Sequence, residues 1–564
     1  MYHFSPAHTP LLFSKIRWSV VYNQTSPIRM ETYSLVVAVA VPAAHNINIQ
    51  NGLIICFITV LFVYYYDFLR KSKRNKGLED KTNKRIIPGP GQHFLGAVAN
   101  ILALRDETKA LKVLEKWAER YGPVFQLNFG PYNVTALNSP EYVQKLLGSK
   151  DTNHLGKGFI YKPLQAFWND GILTSKGDKW KSRRRVLEKH MFSFKTLVSY
   201  MDIFNEQGDT VVQAIEKRLN EGKEEEEVGQ LLLSTTLNAI TKAIFGKSLA
   251  DFDSVTSSNL SFLEVMRRSK ELMIKRLLTP YLLNDFILSL HPLSKLQGLL
   301  NELNRKHVMT AILDESVKPL NNPGEQRRDN VLKRELAAVG VPFEGILEET
   351  QTLIGAGFDT TAHSIDFLLF FLALNPHHQK ICRDEVDVIY EDVDLCTTGA
   401  LKFQALSKLT HLEMCVYETL RLLPAVFMIM RKIDAPLQLE EDLTIPAGSQ
   451  VSIFVPGLHK NPKYFPDPNK FIPERFSPEQ CKNRHPYLYI PFAAGLRKCV
   501  GFKFAIMEML SLTAKLLRSF EWETTDRFED VVFLPHLTYT PQTPIKFLFK
   551  KRLITNNLSH VAKK

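Results

Sequence analysis

One stretch constrains the fold more than any other: the long helical segment from Pro342 to Asn375. Pro342 suits a first helical turn, where a missing N–H leaves nothing unpaired. Asn375-Pro376 suits the end, because the residue before a proline is pushed out of helical geometry. Roughly 30 residues at 1.5 Å each span about 45 Å, the width of a domain. Such a helix crosses a core rather than coating it, so the remaining elements must pack around it. From Glu141 to about Asp434 most periodic segments are helical, and a further helix covers HLEMCVYETLRLL. YGPVFQLNFGPYNVTALNSPE reads as strand, Gly-Pro turn and strand, with Asn138 or Ser139 opening a helix. After Pro424 come short strands and Pro-rich loops, until a helix follows Cys499. EGKEEEEVGQ reads as a solvated loop or helix start, and PLNNPGEQRRDN as a polar connection. There are no repeats. The expected class is mainly α with a minor β part, built as a single large helical domain.

Composition narrows the function. Of 564 residues 45% are hydrophobic, enough for a large core and against global disorder. The six cysteines, at 56, 382, 396, 415, 481 and 499, are scattered without a CxxC or a Cys/His cluster. That argues against a structural zinc site and a disulfide scaffold, and for a reduced, cytosol-facing domain. The net charge of +12 is partly local, in LRKSKRNK after the apolar run LIICFITVLFVYYYDFL. That run, residues 53–69, reads as a membrane-spanning anchor with a basic cytoplasmic flank and an interface belt at Tyr64 to Tyr66. A buried core helix with a polar exit is the weaker reading, since only one end is charged. YSLVVAVAVPAA, residues 33–44, is too short to span and reads as a signal-peptide core or a lumenal stub. Met1 and Met30 both serve as possible starts. With no finger, stacking platform or helix-turn-helix pattern, the basic balance points to membrane rather than nucleic acid. The chain divides into an N-terminal extension (1–52), the anchor (53–69), a basic and Pro/Gly linker (70–91), the large domain (92–553) and a tail (554–564).

Within that domain the loop PFAAGLRKCVG, Pro491 to Gly501, carries a cysteine between two glycines. A cysteine alone is most often a small core residue. Here a helix beginning at about Val500, with Arg497 and Lys498, would lower the thiol pKa. Gly495 and Gly501 let the backbone approach something flat and bulky. No histidine base for a protease is signalled, whereas a planar iron cofactor under a thiolate fits each element. In the long helix, AGFDTT places Gly357, Asp359, Thr360 and Thr361 where helices disfavour them. It reads as a small-residue packing notch or as a local opening for oxygen and water. ETLR sets Glu418 and Arg421 on one helix face, by itself a common surface pair.

These segments, in this order from about Ile86 to Leu553, resemble the cytochrome P-450 superfamily. Phe492, Gly495, Arg497, Cys499 and Gly501 match all five fixed positions of its haem loop. The resemblance implies the cytochrome P-450 fold, haem b, and a monooxygenase that inserts one oxygen atom of O2 into a lipophilic substrate. It implies Cys499 as axial iron ligand, Arg497 on a propionate and Phe492 shielding the sulfur. Trp180 and Arg184 of WKSRR match the propionate-contacting pair, with Arg431 in a similar role. Glu418, Arg421 and Arg475 of FIPERF would form a buried structural triad. Asp359 and Thr360 match the oxygen-activation motif, as proton relay and hydroxyl donor.

HPYLYIPFAAGLRKCVGFKFA and DGILTSKGDKWKSRRRVLEKHMFSFKTL look most like family four, the microsomal fatty-acid ω-hydroxylases. Many members carry Glu where this chain has Ala356, so no ester to haem can form, and terminal selectivity does not carry over. Phe358, Ala362, Val426, Phe427 and Tyr539 are pocket candidates by position. No GxGxxG or flavin module is present, so electrons would come from NADPH through a separate NADPH-cytochrome P-450 reductase, with cytochrome b5 an optional partner. A basic face around Lys498, Lys503, Lys181 and Arg183 would attract it. The location implied is the endoplasmic reticulum membrane, single-pass, with the catalytic domain cytosolic. Steroid or xenobiotic oxidation is the alternative among monooxygenases, and a non-turnover haem-thiolate binder or isomerase the alternative outside them. Asp359 and Thr360 speak for oxygen activation.

Overall fold

The structure is a computed structural model that describes residues 85–553, apart from 91–93, 130–131, 224, 247, 249–259 and 314–330. The expected anchor 53–69 with its basic flank, the patch 33–44, the segment PLNNPGEQRRDN and the tail lie outside the described residues.

Seven helices organise the site: α1 (Gly177–Val186), α2 (Gly229–Phe245), α3 (Phe262–Leu278), α4 (Phe343–Leu374), α5 (Pro376–Glu391), α6 (Thr410–Leu422) and α7 (Phe502–Ser519). The long helix α4 runs where the sequence places it, with extended Pro342 before its first turn and Asn375 after its last. It is the one helix among the described residues long and apolar enough to cross a membrane, but it is mostly buried inside the protein. Its last turns, through Phe367, Leu368, Leu369 and Phe370, are fully buried. Each such side chain contributes roughly 1.5–3 kcal/mol on leaving water. Trp522 Nε1 donates to Leu369 O at 3.0 Å, so the indole is buried without an orphan donor.

The small residues of α4 are partly the packing notch. A Cβ on Gly357 would lie 3.0 Å from Ile240 of α2, and one on Gly355 would lie 2.4 Å from the Trp168 ring. The helix is unbroken through Ala356–Thr361, so the expected local opening is not a break in the backbone. Instead Thr360 and Thr361 bond back to Ala356 O and Gly357 O, which lets hydroxyls sit inside a continuous helix.

The minor β part is a five-stranded sheet in the order Val124–Phe129, Tyr132–Leu137, Gln450–Phe454, Met428–Lys432, Gly156–Lys157. The first pair is the hairpin expected from sequence, and Ser139 caps the following helix by accepting from Tyr142 N at 3.3 Å. The acidic run differs from expectation: Glu225–Glu226 pairs as an edge strand with Phe547 and Leu548, because that strand offers unpaired backbone there. The expected absence of a Cys/His cluster is also corrected. Helices α5 and α6 bring Cys382, His411 and Cys415 together, from pairs too far apart in sequence to form a local motif.

Candidate functional site

The cysteine loop is built on close backbone approach. Gly495 has φ +69°, and a Cβ there would lie 1.6 Å from Leu147 O. Only glycine satisfies both conditions. Cys499 N donates to Phe492 O at 2.9 Å, which closes the loop, and α7 starts at Phe502 with Gly501 as its N-cap, two residues later than the sequence suggests. Cys499 keeps accessible surface on its side chain. Burial pushes its thiol up, while the Gly501 backbone N–H and the charges of Arg184 and Lys498 pull the other way. The net direction corrects the expectation of a lowered pKa. Arg497 does not help the sulfur, because its guanidinium is turned to Ile172 O and Ser175 O.

Around Arg497 lies a group of cations. Its guanidinium stacks 4.3 Å from the centre of the Trp180 ring. It is 8% exposed and its Nε has no partner. Arg431, 2% exposed, donates to Met430 O at 3.1 Å. Lys157 stands opposite Arg431 in the strand register, its Nζ 4.5 Å from the centre of the Tyr161 ring. Among the described residues none of the three pairs with a carboxylate. Burial, with the charges of Arg431 and Arg184, pushes Arg497 down to about 9. Burial and the charges of Arg431 and Arg497 push Lys157 well below the usual ammonium range. Arg184 lies beside this group but is engaged by Glu188 at 2.6 Å and by Lys498 O at 2.7 Å. Sequence reasoning missed Lys157 and Tyr161, since GKGFIYK carries no pattern; only the strand register reveals them.

A cavity of about 740 Å³ runs beside α4. Its walls include Leu127, Phe129, Met266, Phe358, Phe427 and Leu537, with Ala356, Asp359 and Thr360 on the α4 side. Ala356 and Thr360, one turn apart, keep accessible surface in the mostly buried middle of the helix. Val426 lines it as well, as expected. Tyr539 and Ala362 do not: Tyr539 packs behind Phe427, ring centres 5.5 Å apart, and Ala362 is core. Asp359 is held by three partners: Lys270 Nζ at 2.6 Å, Thr538 Oγ1 at 2.7 Å and His363 Nδ1 at 3.6 Å. Burial works to raise its pKa, but Lys270, His363 and Thr538 hold the carboxyl down at about 2.

The triad assembles. Glu418 and Arg421, both fully buried, meet at 2.7 and 2.8 Å, and Arg475 Nε lies 3.4 Å from Glu418 Oε1. Arg421 also donates to His459 O and Pro468 O, fastening α6 to the loops before the cysteine. The expected basic face loses Arg183, which is buried in an ion pair with Glu349 at 3.0 Å because it sits on the inner side of α1. Lys181 and Lys503 are exposed and Lys498 is half-buried against the Phe502 ring, 3.7 Å from its centre.

The family model for Cytochrome P450 matches residues 88–549. Cytochrome P450 4c21 of Blattella germanica is 28% identical over 513 residues, covering 87% of this chain and 98% of that protein. Cytochrome P450 4c3 of Drosophila melanogaster is 30% identical over 511 residues, 86% of this chain and 92% of that one. Cytochrome P450 4V2 of Rattus norvegicus is 30% identical over 455 residues, 77% and 83% of the two chains. The chain belongs to the cytochrome P450 family and is a monooxygenase of that family, with family-four relatives. The family implies haem with its iron, a redox partner that supplies electrons, O2 and a lipophilic substrate. The residues fit such a group: buried Arg431 and Arg497, with no carboxylate partner among the described residues, suit an anionic cofactor, and an accessible sulfur suits a soft ligand position.

Proposed function

We propose that this monooxygenase hydroxylates a long-chain fatty acid or related lipid. In this reading Cys499 would hold the iron of haem b through its thiolate. Arg497, Trp180, Arg184 and Arg431, joined by Lys157, receive the propionates. Phe492 shields the sulfur, and Gly495 and Gly501 allow the close approach of the loop. Glu418, Arg421 and Arg475 are structural. The haem, when bound, supplies the reductive activation of O2 that amino-acid side chains cannot perform.

The chain's own residues do the rest. The apolar walls desolvate the substrate and align it along α4. Thr360 Oγ1, bonded back to Ala356 O in this state, turns by one rotamer to donate a hydrogen bond toward the cavity. Asp359 stays ionised under Lys270 and exchanges protons once that lysine swings away. Arg105, exposed at a helix end on the cavity lining, offers a cation for a lipid carboxylate. The observation that carries the reading is the cavity itself: about 740 Å³, lined by many apolar residues, and bounded by Ala356, Asp359 and Thr360 at one wall.

Ala356 keeps a second reading alive. Without a carboxylate there, haem is not tethered by an ester, and a rigid steroid or xenobiotic is the competing substrate class. Substrate-induced spectral shifts with fatty acids of graded length, against a steroid set, test the choice. Tight binding of steroids alone overturns the lipid assignment. NADPH consumption with added reductase tests turnover; none at all would return the non-turnover binder or isomerase. Electrons would arrive through NADPH-cytochrome P-450 reductase, and optionally cytochrome b5, docked on Lys181, Lys498 and Lys503. Charge reversal at Lys181 and Lys498 should slow reduction without altering haem content. The apolar run 53–69 and its basic flank support a single-pass endoplasmic-reticulum anchor with this domain in the cytosol.

A further inference from the structure

Outside the residues assigned above, α5 and α6 carry matching pairs. His378 and Cys382 are one turn apart on α5, and His411 and Cys415 one turn apart on α6. Positions i and i+4 share a helix face. Two such faces are packed together, and neither cysteine serves the cavity. Cys382 Sγ and Cys415 Sγ are 3.7 Å apart and fully buried. A His411 ring nitrogen lies within 4.8 Å of both sulfurs. His411 Nε2 is 3.1 Å from His378 Nδ1, which is 3.8 Å from Glu474 Oε1 near the surface.

We propose that Cys382, Cys415 and His411 form a binding site for a soft divalent cation, zinc above all. A tetrahedral zinc about 2.3 Å from each sulfur holds the sulfurs about 3.8 Å apart. The observed separation of 3.7 Å needs almost no movement of either thiol. The imidazole is the usual third ligand, and His378 stands behind it as the outer hydrogen-bond partner that fixes ring orientation. Glu474 behind His378 gives the path a polar mouth. Binding releases the two thiol protons to solvent, leaving two thiolates and a neutral imidazole on the ion, with the fourth position open to water. Cys415 is three residues from Glu418 on the same helix, so the ion would pin α5 to the segment that carries the buried charge triad.

The test uses the full-length, detergent-solubilised holoprotein, washed with chelator and then supplied with zinc sulfate. Elemental analysis should find about one zinc per chain beside the haem iron, and zinc-edge X-ray absorption should find two sulfurs near 2.3 Å. Cys382→Ala should lose the bound zinc while haem content stays at the wild-type level, and His378→Ala should weaken zinc binding about tenfold. Zinc that is lost on desalting after loading, a shell of oxygen and nitrogen only, or a Cys382–Cys415 disulfide in freshly purified protein would each overturn the proposal. The absorption spectrum of the wild type decides the matter even if the cysteine variant fails to fold.

Discussion

Lys157 and Arg431 stand directly opposite each other across an antiparallel strand pair, two basic side chains in register with no carboxylate paired to either among the described residues. Like charges in that position destabilise a sheet. In the proposed function the haem propionates would be the anions that offset this repulsion. In haem-free protein Arg431→Met should therefore leave stability unchanged or raise it by up to about 1 kcal/mol. In the holoprotein the same change should lower haem retention. Thermal denaturation of both forms checks this; loss of several kcal/mol in the haem-free form would contradict it.

Asp359 gives a pH dependence with a definite sign. Its folded-state pKa of about 2 lies below the ordinary 3.8. The ionised carboxylate therefore stabilises the fold above roughly pH 4, by about 2 kcal/mol, and this is lost as pH falls toward 2. Lys270→Met leaves burial unopposed by its strongest partner, so the carboxyl pKa rises. The acid limb of the turnover profile should then move to higher pH, and an unchanged limb would show that Lys270 does not govern the carboxyl.

Two glycines with similar φ should respond differently. Gly448→Ala, φ +84° with open space around it, should cost about 1 kcal/mol in backbone strain. Gly495→Ala, φ +69°, adds a clash with Leu147 O and should abolish haem incorporation. Haem content measured beside far-UV circular dichroism separates loss of the loop from loss of the fold.

The buried triad behaves as a unit. Glu418→Ala leaves Arg421 charged and buried, and should destabilise the protein by about 3–5 kcal/mol. Denaturant unfolding of the haem-free variant measures it. A change under 1 kcal/mol would mean the backbone carbonyls around Arg421 suffice.

Filling the cavity tests the substrate wall. Ala356→Ile projects a larger side chain into the space beside Thr360 and should weaken binding of the longest fatty acids most. Equal affinity across chain lengths in the variant would place the lipid elsewhere.

Much of this was legible in sequence because local chemistry dictates it. Proline and Asn-Pro bound α4, Ser139 caps its helix, and Gly495 occupies a position no other residue tolerates. What stayed hidden depends on tertiary packing. Arg183 reads as a surface cation until α1 turns it inward to Glu349. Lys157 gains meaning only through its register with Arg431. The Cys499 thiol looked activated from neighbouring charges, but burial outweighs them once Arg497 is turned away. The His-x-x-x-Cys pairs of α5 and α6, with their cysteines 33 residues apart, read as scattered, and only helix packing brings them together.

The central claim is that Cys499 is the thiolate under the haem. The most direct test is the carbon-monoxide difference spectrum of the reduced full-length protein, recorded beside Cys499→Ser. The account predicts the strongly red-shifted Soret band of a thiolate-ligated ferrous haem in the wild type and its loss in the variant. A band typical of imidazole-ligated haem in the wild type, or a red-shifted band that survives in Cys499→Ser, would contradict it.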